Sequence, residues 1–138
     1  MRKVAVALGF LGAALVAVLF WAMFVYDGRK DLDLSPWASP QDPWTRSVMP
    51  GARWATDELC DEAMPCIQAV TSETVTLYRF AERDQAVAAA ESFGEDGYLT
   101  GWMAVRFEPG GLTAAERDEV EYSIGCINTW VSEDGRDC

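Results

Sequence analysis

The chain of 138 residues contains no histidine. That removes the commonest general base and the commonest metal ligand together. Positive charge is scarce, with 11 Lys and Arg against 22 Asp and Glu, a net of −11. The shortage lies in the C-terminal part: residues 27–54 hold four acids and four bases, whereas 55–138 hold eighteen acids against five arginines, a net of −13. So acidic a segment repels phosphate backbones and anionic headgroups, which excludes nucleic acid as a partner. There is no CxxC redox motif and no Asp-x-Asp-x-Asp-Gly calcium loop. No two of the many acids stand out as a matched catalytic pair. No cofactor and no metal are expected, and the chain is not read as an enzyme.

What the sequence does have is a long uncharged run, Val4–Tyr26. As a helix it would extend about 34 Å at about 1.5 Å per residue, enough for a hydrocarbon core of about 30 Å. The reading is a cytoplasmic start at 1–3 and a transmembrane signal-anchor at 4–26. The protein is then single-pass in the cell membrane, N-terminus cytoplasmic and C-terminal domain extracytoplasmic. A cleaved signal peptide is the competing reading, but the run is longer than the usual apolar core and ends in the bulky Trp21, Phe24 and Tyr26. Ala5, Gly9, Ala13 and Ala17 recur every fourth residue and form a small-residue stripe on such a helix. Chance placement of alanines explains the stripe equally well. As a packing face, it fits another membrane or envelope protein, or a second copy.

Residues 27–55 read as an extended linker, because Pro36, Pro40, Pro43 and Pro50 interrupt helix and strand alike. Trp37, Trp44 and Trp54 make it more than a spacer. Large aromatics are costly to leave in water, so these three dock on the domain, the membrane interface or a partner.

Residues 56–138 form a small acidic domain with the order α-β-β-α-β-α. A helix starts at Thr56 or Asp57 and stops at Pro65. Ile67–Thr71 and Thr74–Phe80 read as a hairpin. The stretch 82–93 is helical, with Ala86, Ala89, Ala90 and Phe93 on one face. Tyr98–Glu108 alternates as one strand. Thr113 and Glu116 match a capping box, and the helix after them carries Val120, Ile124, Ile127 and Val131 as its buried stripe. The predicted fold is α+β: a three-stranded antiparallel sheet with helices packed on it. It resembles a shortened ferredoxin-like unit in architecture alone, which implies no activity.

Four cysteines, an even count in a small domain, favour two structural disulfides. Three pairings are possible. Six residues along one helix span about 9 Å, beyond disulfide reach. Pro65 supplies the break that a Cys60–Cys66 bridge needs, and the polar tail can return Cys138 to Cys126. With the helices on the Val75, Met103, Val105 and Phe107 face, the other face would display Tyr78, Phe80, Trp102 and Arg106. Aromatics with an arginine are the composition of a protein-binding surface. The opposing reading is that the Trp-bearing arm or the first helix covers them.

The functional expectation is therefore a membrane-anchored extracytoplasmic accessory or interaction protein. A ligand-binding or sensor domain is the alternative, and a thiol-redox enzyme the less favoured one.

Overall fold

In the computed structural model of the chain, the described residues are 14–21 and 27–138. The first of these, α1 (residues 14–21), is helical, and its apolar side chains such as Leu15 and Val16 are exposed. No helix among the described residues is long and apolar enough to cross a membrane. The expected single-pass anchor at 4–26, and the membrane location drawn from it, are corrected on that ground. Residues 4–13 and 22–26 of the run lie outside the described residues, as do Ala5, Gly9 and Ala13 of the stripe; Ala17 lies on α1.

Residues 27–55 are folded rather than extended. A 3-10 turn, Gly28–Asp31, is followed by α2 (Ser35–Ala38), α3 (Pro43–Val48) and β1 (Arg53–Trp54). Two of the prolines, Pro36 and Pro43, stand in the first turn of these helices instead of preventing them. Pro43 opens α3 behind Asp42, whose carboxylate accepts from the Thr45 amide at 2.7 Å. Proline at a first helical position gives up no hydrogen bond, and its fixed φ suits the turn. The arm packs on the sheet, with Leu34 fully buried and Val48 and Met49 nearly so.

The sheet has five strands, all neighbours antiparallel, in the order β1-β2-β3-β5-β4. This corrects the expected three. β2 (Cys66–Thr71) and β3 (Val75–Phe80) form the predicted hairpin. The arm adds β1 at one edge. The run 98–108 is itself a hairpin, β4 (Gly97–Thr100) and β5 (Met103–Phe107), with Thr100 opposite Met103. Its two-residue turn is Gly101-Trp102, with Gly101 at φ +58°. A two-residue hairpin needs such a dihedral, and glycine reaches it without steric cost. α5 (Arg83–Ser92) carries the chain from β3 to β4, and β5 fills the place between them.

Both sheet faces are covered. On one, Val70, Val75, Leu77, Met103, Val105 and Phe107 pack with the arm and with Val120 and Ile124 of α6 (Ala114–Gly125). On the other, Tyr78, Phe80 and Ala104 lie under Ala86, Ala89 and Ala90 of α5. The alanines allow close approach. A Cβ on Gly97 would run into the Ala90 carbonyl oxygen, so β4 passes α5 only as glycine. The Thr113–Glu116 capping box opens α6 as the sequence predicts. The Arg117 guanidinium then lies 4.4 Å from the centre of the Phe107 ring and pairs with Glu121 at 2.9 Å.

Both disulfides are formed, Cys60–Cys66 and Cys126–Cys138. α4 (Thr56–Leu59) ends before Cys60, which is extended at φ −99° and ψ 116°. That early stop brings the two Cα atoms to 5.0 Å.

Candidate functional site

The four residues expected to form an exposed aromatic face do not form one. Tyr78 is 4% exposed and Phe80 1%. Trp102 sits partly buried in the β4–β5 turn, where its carbonyl accepts from the Phe80 amide at 2.9 Å. Only Arg106 is exposed, 3.8 Å from Glu108. α5 covers the face on which the sequence leaves room for a partner. Of the arm's tryptophans, Trp37 and Trp44 pack partly buried against the core, while Trp54 in β1 stays 43% exposed.

The exposed aromatic lies elsewhere. Trp130 is 88% exposed, in the loop closed by Cys126 and Cys138. A tryptophan can bury about 200 Å², and at about 25 cal/mol per Å² its exposure forgoes on the order of 5 kcal/mol. The backbone that carries it is tightly held. α6 ends at Gly125, and the Cys126 amide caps it onto the Tyr122 carbonyl at 3.0 Å. Asn128 then turns the chain at φ +54°. Val131 bridges Asp137, the Cys138 amide donates to the Trp130 carbonyl at 2.9 Å, and the Ser132 amide donates to the Arg136 carbonyl at 2.9 Å. The disulfide joins this small hairpin to the end of α6.

Charged side chains fasten the loop to the domain. Glu133 accepts from Arg29 at 3.2 Å, from Arg83 at 3.0 Å and from the Gly101 amide at 3.1 Å. One carboxylate thus joins the arm, α5, the β4–β5 turn and the tail. Arg29 is also held by Asp27 at 2.6 Å, and that hydrogen bond keeps the Asp27 carboxyl below the usual carboxylate range. Arg136 lies over Tyr122, 5.6 Å from the ring centre, and pairs with Asp118 at 3.0 Å and Asp134 at 2.6 Å. Hydrogen bonds from Arg136 and then Ser132 hold the Asp134 carboxyl low. Tyr98 presses its hydroxyl on Gly125, where a Cβ would overlap it, and burial pushes its pKa up.

The remaining surface offers little to a small molecule. The pocket between the Cys60–Cys66 loop and α5 holds about 210 Å³ and is lined by Met64, Phe80 and Ala89 among others. Ligand sites usually run from about 300 to 1,000 Å³. A larger groove of about 500 Å³ beside α3 is open and lined mostly by small residues, with Arg46 its single charge. Every described carboxylate with a displaced pKa is displaced downward, by a helix cap, an arginine or, for Asp33, the Ser35 hydroxyl, opposite to what a general acid needs. Among the described residues there is no group of three or more Cys, Asp or Glu placed to hold a metal ion.

The spacing of Val120, Ile124, Ile127 and Val131 predicts a last helix that runs through Trp130 and hides it, but the helix ends at Gly125 and Val131 is 48% exposed beyond it. Gly125-Cys126 was the available signal: glycine is common where a helix ends, and a cysteine there can lock the following loop. No known family, curated protein or solved structure was found to match the chain.

Proposed function

We propose that this chain is a non-catalytic accessory protein that binds another protein, with Trp130 as its anchor. One observation carries the reading: the most exposed large aromatic described sits on the backbone segment that the Cys126–Cys138 bridge closes. Tryptophan is enriched among the few residues that dominate binding energy. A loop already ordered by a disulfide and backbone hydrogen bonds has less entropy to lose on association. Tyr122 and Val131, 41% and 48% exposed, are further exposed apolar side chains on the same disulfide-joined unit.

The ligand-binding alternative has less support, because the pocket beside α5 holds about 210 Å³ and the groove of about 500 Å³ beside α3 lies open to solvent. A thiol-redox role is disfavoured by spacing, because the bridged pairs lie 6 and 12 positions apart and neither is a CxxC pair.

The test is photo-crosslinking in the source cells from a photoreactive residue at position 131, with position 67 as control. A protein captured from 131 alone is then purified, and its affinity is measured for the native chain and for Trp130→Ala. The expected result is a loss of tenfold or more. No adduct specific to 131, or an affinity unchanged by Trp130→Ala, overturns the reading.

A further inference from the structure

We infer that the partner of the Trp130 loop is a polypeptide surface rich in lysine or arginine, set around an apolar pocket that takes the indole. This inference rests on the binding role proposed for Trp130 and adds the partner's charge.

It comes from how the charges around the loop are spent. Residues 118–138 hold six acids, Asp118, Glu119, Glu121, Glu133, Asp134 and Asp137, against one base, Arg136. That one base is already engaged by Asp118 and Asp134. The two other cations that reach the loop, Arg29 and Arg83, are engaged by Glu133. Glu119 and Asp137 are exposed and make no ion pair among the described residues. Asp118 and Glu119 precede Tyr122 by one helical turn, so they share its exposed stripe. Asp137 stands opposite Val131 in the hairpin. Glu119 and Asp137 thus leave unspent negative charge on the two segments, α6 and the hairpin, that carry the exposed Tyr122, Trp130 and Val131.

Surface charge of one sign selects partners of the other, chiefly through the rate of encounter. A second copy brings the same net charge of −11 and is repelled. A basic surface is attracted, and electrostatic steering raises association rates by about 10- to 1,000-fold, an effect that salt removes.

The test selects a random peptide library on the full-length chain, with counter-selection on Trp130→Ala. The expected peptides carry net positive charge and one or more apolar residues. Binding of the best of them should fall tenfold or more with Trp130→Ala. It should fall about threefold in Glu119→Gln/Asp137→Asn, and association should slow about tenfold between low and high salt. Circular dichroism checks that each variant is folded. Trp130-dependent peptides that are neutral or acidic, or insensitive to salt, overturn the charge inference and leave the Trp130 reading standing. Enrichment only of peptides that ignore Trp130, or none at all, overturns both. So does reversible self-association that Trp130→Ala abolishes.

Discussion

Arg29 and Glu133, 104 residues apart in sequence, meet at 3.2 Å. The pair ties the start of the folded arm to the disulfide-closed tail, and the same carboxylate holds Arg83 and the Gly101 amide. Single exposed ion pairs contribute about 0–1 kcal/mol. Three bonds to one carboxylate act together, so Glu133→Ala is expected to cost about 1–2 kcal/mol. The specific reading is hydrogen exchange. The Gly101 amide should lose protection in Glu133→Ala while strand amides such as that of Leu77 keep theirs. Equal protection at Gly101 in both proteins would show that the clasp is ornamental.

The arm is part of the fold. Leu34 is fully buried against the sheet. Leu34→Ala is expected to lower the unfolding free energy by about 2–5 kcal/mol, as for a core leucine. Urea denaturation measures it; a loss under about 1 kcal/mol would return residues 27–55 to the status of a tether.

Tyr98 and Gly125 offer a paired test. The Tyr98 hydroxyl is buried between Gly125 and the Arg136 guanidinium. Tyr98→Phe removes a buried hydroxyl that makes no well-formed hydrogen bond, so thermal melting should show a change of less than about 1 kcal/mol. Gly125→Ala forces a Cβ into the same space and should destabilise by about 1–3 kcal/mol. In the double variant part of that loss should be recovered, because Phe leaves room where the hydroxyl stood.

Asp27 contributes to the acid limb of the stability profile, beside the other carboxylates held low. Its carboxyl titrates lower in the folded chain, through the hydrogen bond from Arg29. The stabilisation is fully present above the ordinary aspartate value, about 4, and is lost as pH falls through the lowered native value. Native and Asp27→Asn proteins should therefore differ most near neutral pH and converge as pH falls through that lowered value. Tyr98 acts at the other end: burial raises its folded value, so its contribution is present below the ordinary tyrosine range and lost as pH rises through the raised one.

Parts of this fold were legible because they rest on local signals. The β2–β3 hairpin, the helix over 83–92 and the Thr113–Glu116 cap follow from alternation, alanine spacing and capping chemistry. The extra strands were hidden for two reasons. Hydrophobic alternation runs on past Gly101-Trp102, so 98–108 reads as one strand. The turn there places Tyr98 beside Val105, on the opposite face from an unbroken strand. β1 is two residues long, too short for any period, and is a strand only because β2 pairs with it. The site was hidden by the same kind of error at a helix end. Val131 continues the spacing of Val120 and Ile124, but the helix stops at Gly125 and the disulfide turns the chain outward.

Closure of that loop sets how Trp130 is presented. In the loop-entropy account, a bridge across 12 positions contributes about 3 kcal/mol. Cys126→Ser/Cys138→Ser should unfold at correspondingly lower denaturant. Its Ser132 amide, which donates to the Arg136 carbonyl across the hairpin, should also exchange faster, because the loop is then held only by hydrogen bonds and ion pairs.

The most direct measurement compares the affinity of the partner captured at position 131 for three chains: native, Trp130→Ala and Trp54→Ala. Trp54 is a half-exposed tryptophan in β1, far from the loop in sequence. The account predicts a loss of tenfold or more for Trp130→Ala and less than twofold for Trp54→Ala. Equal losses, or none for Trp130→Ala, would contradict it.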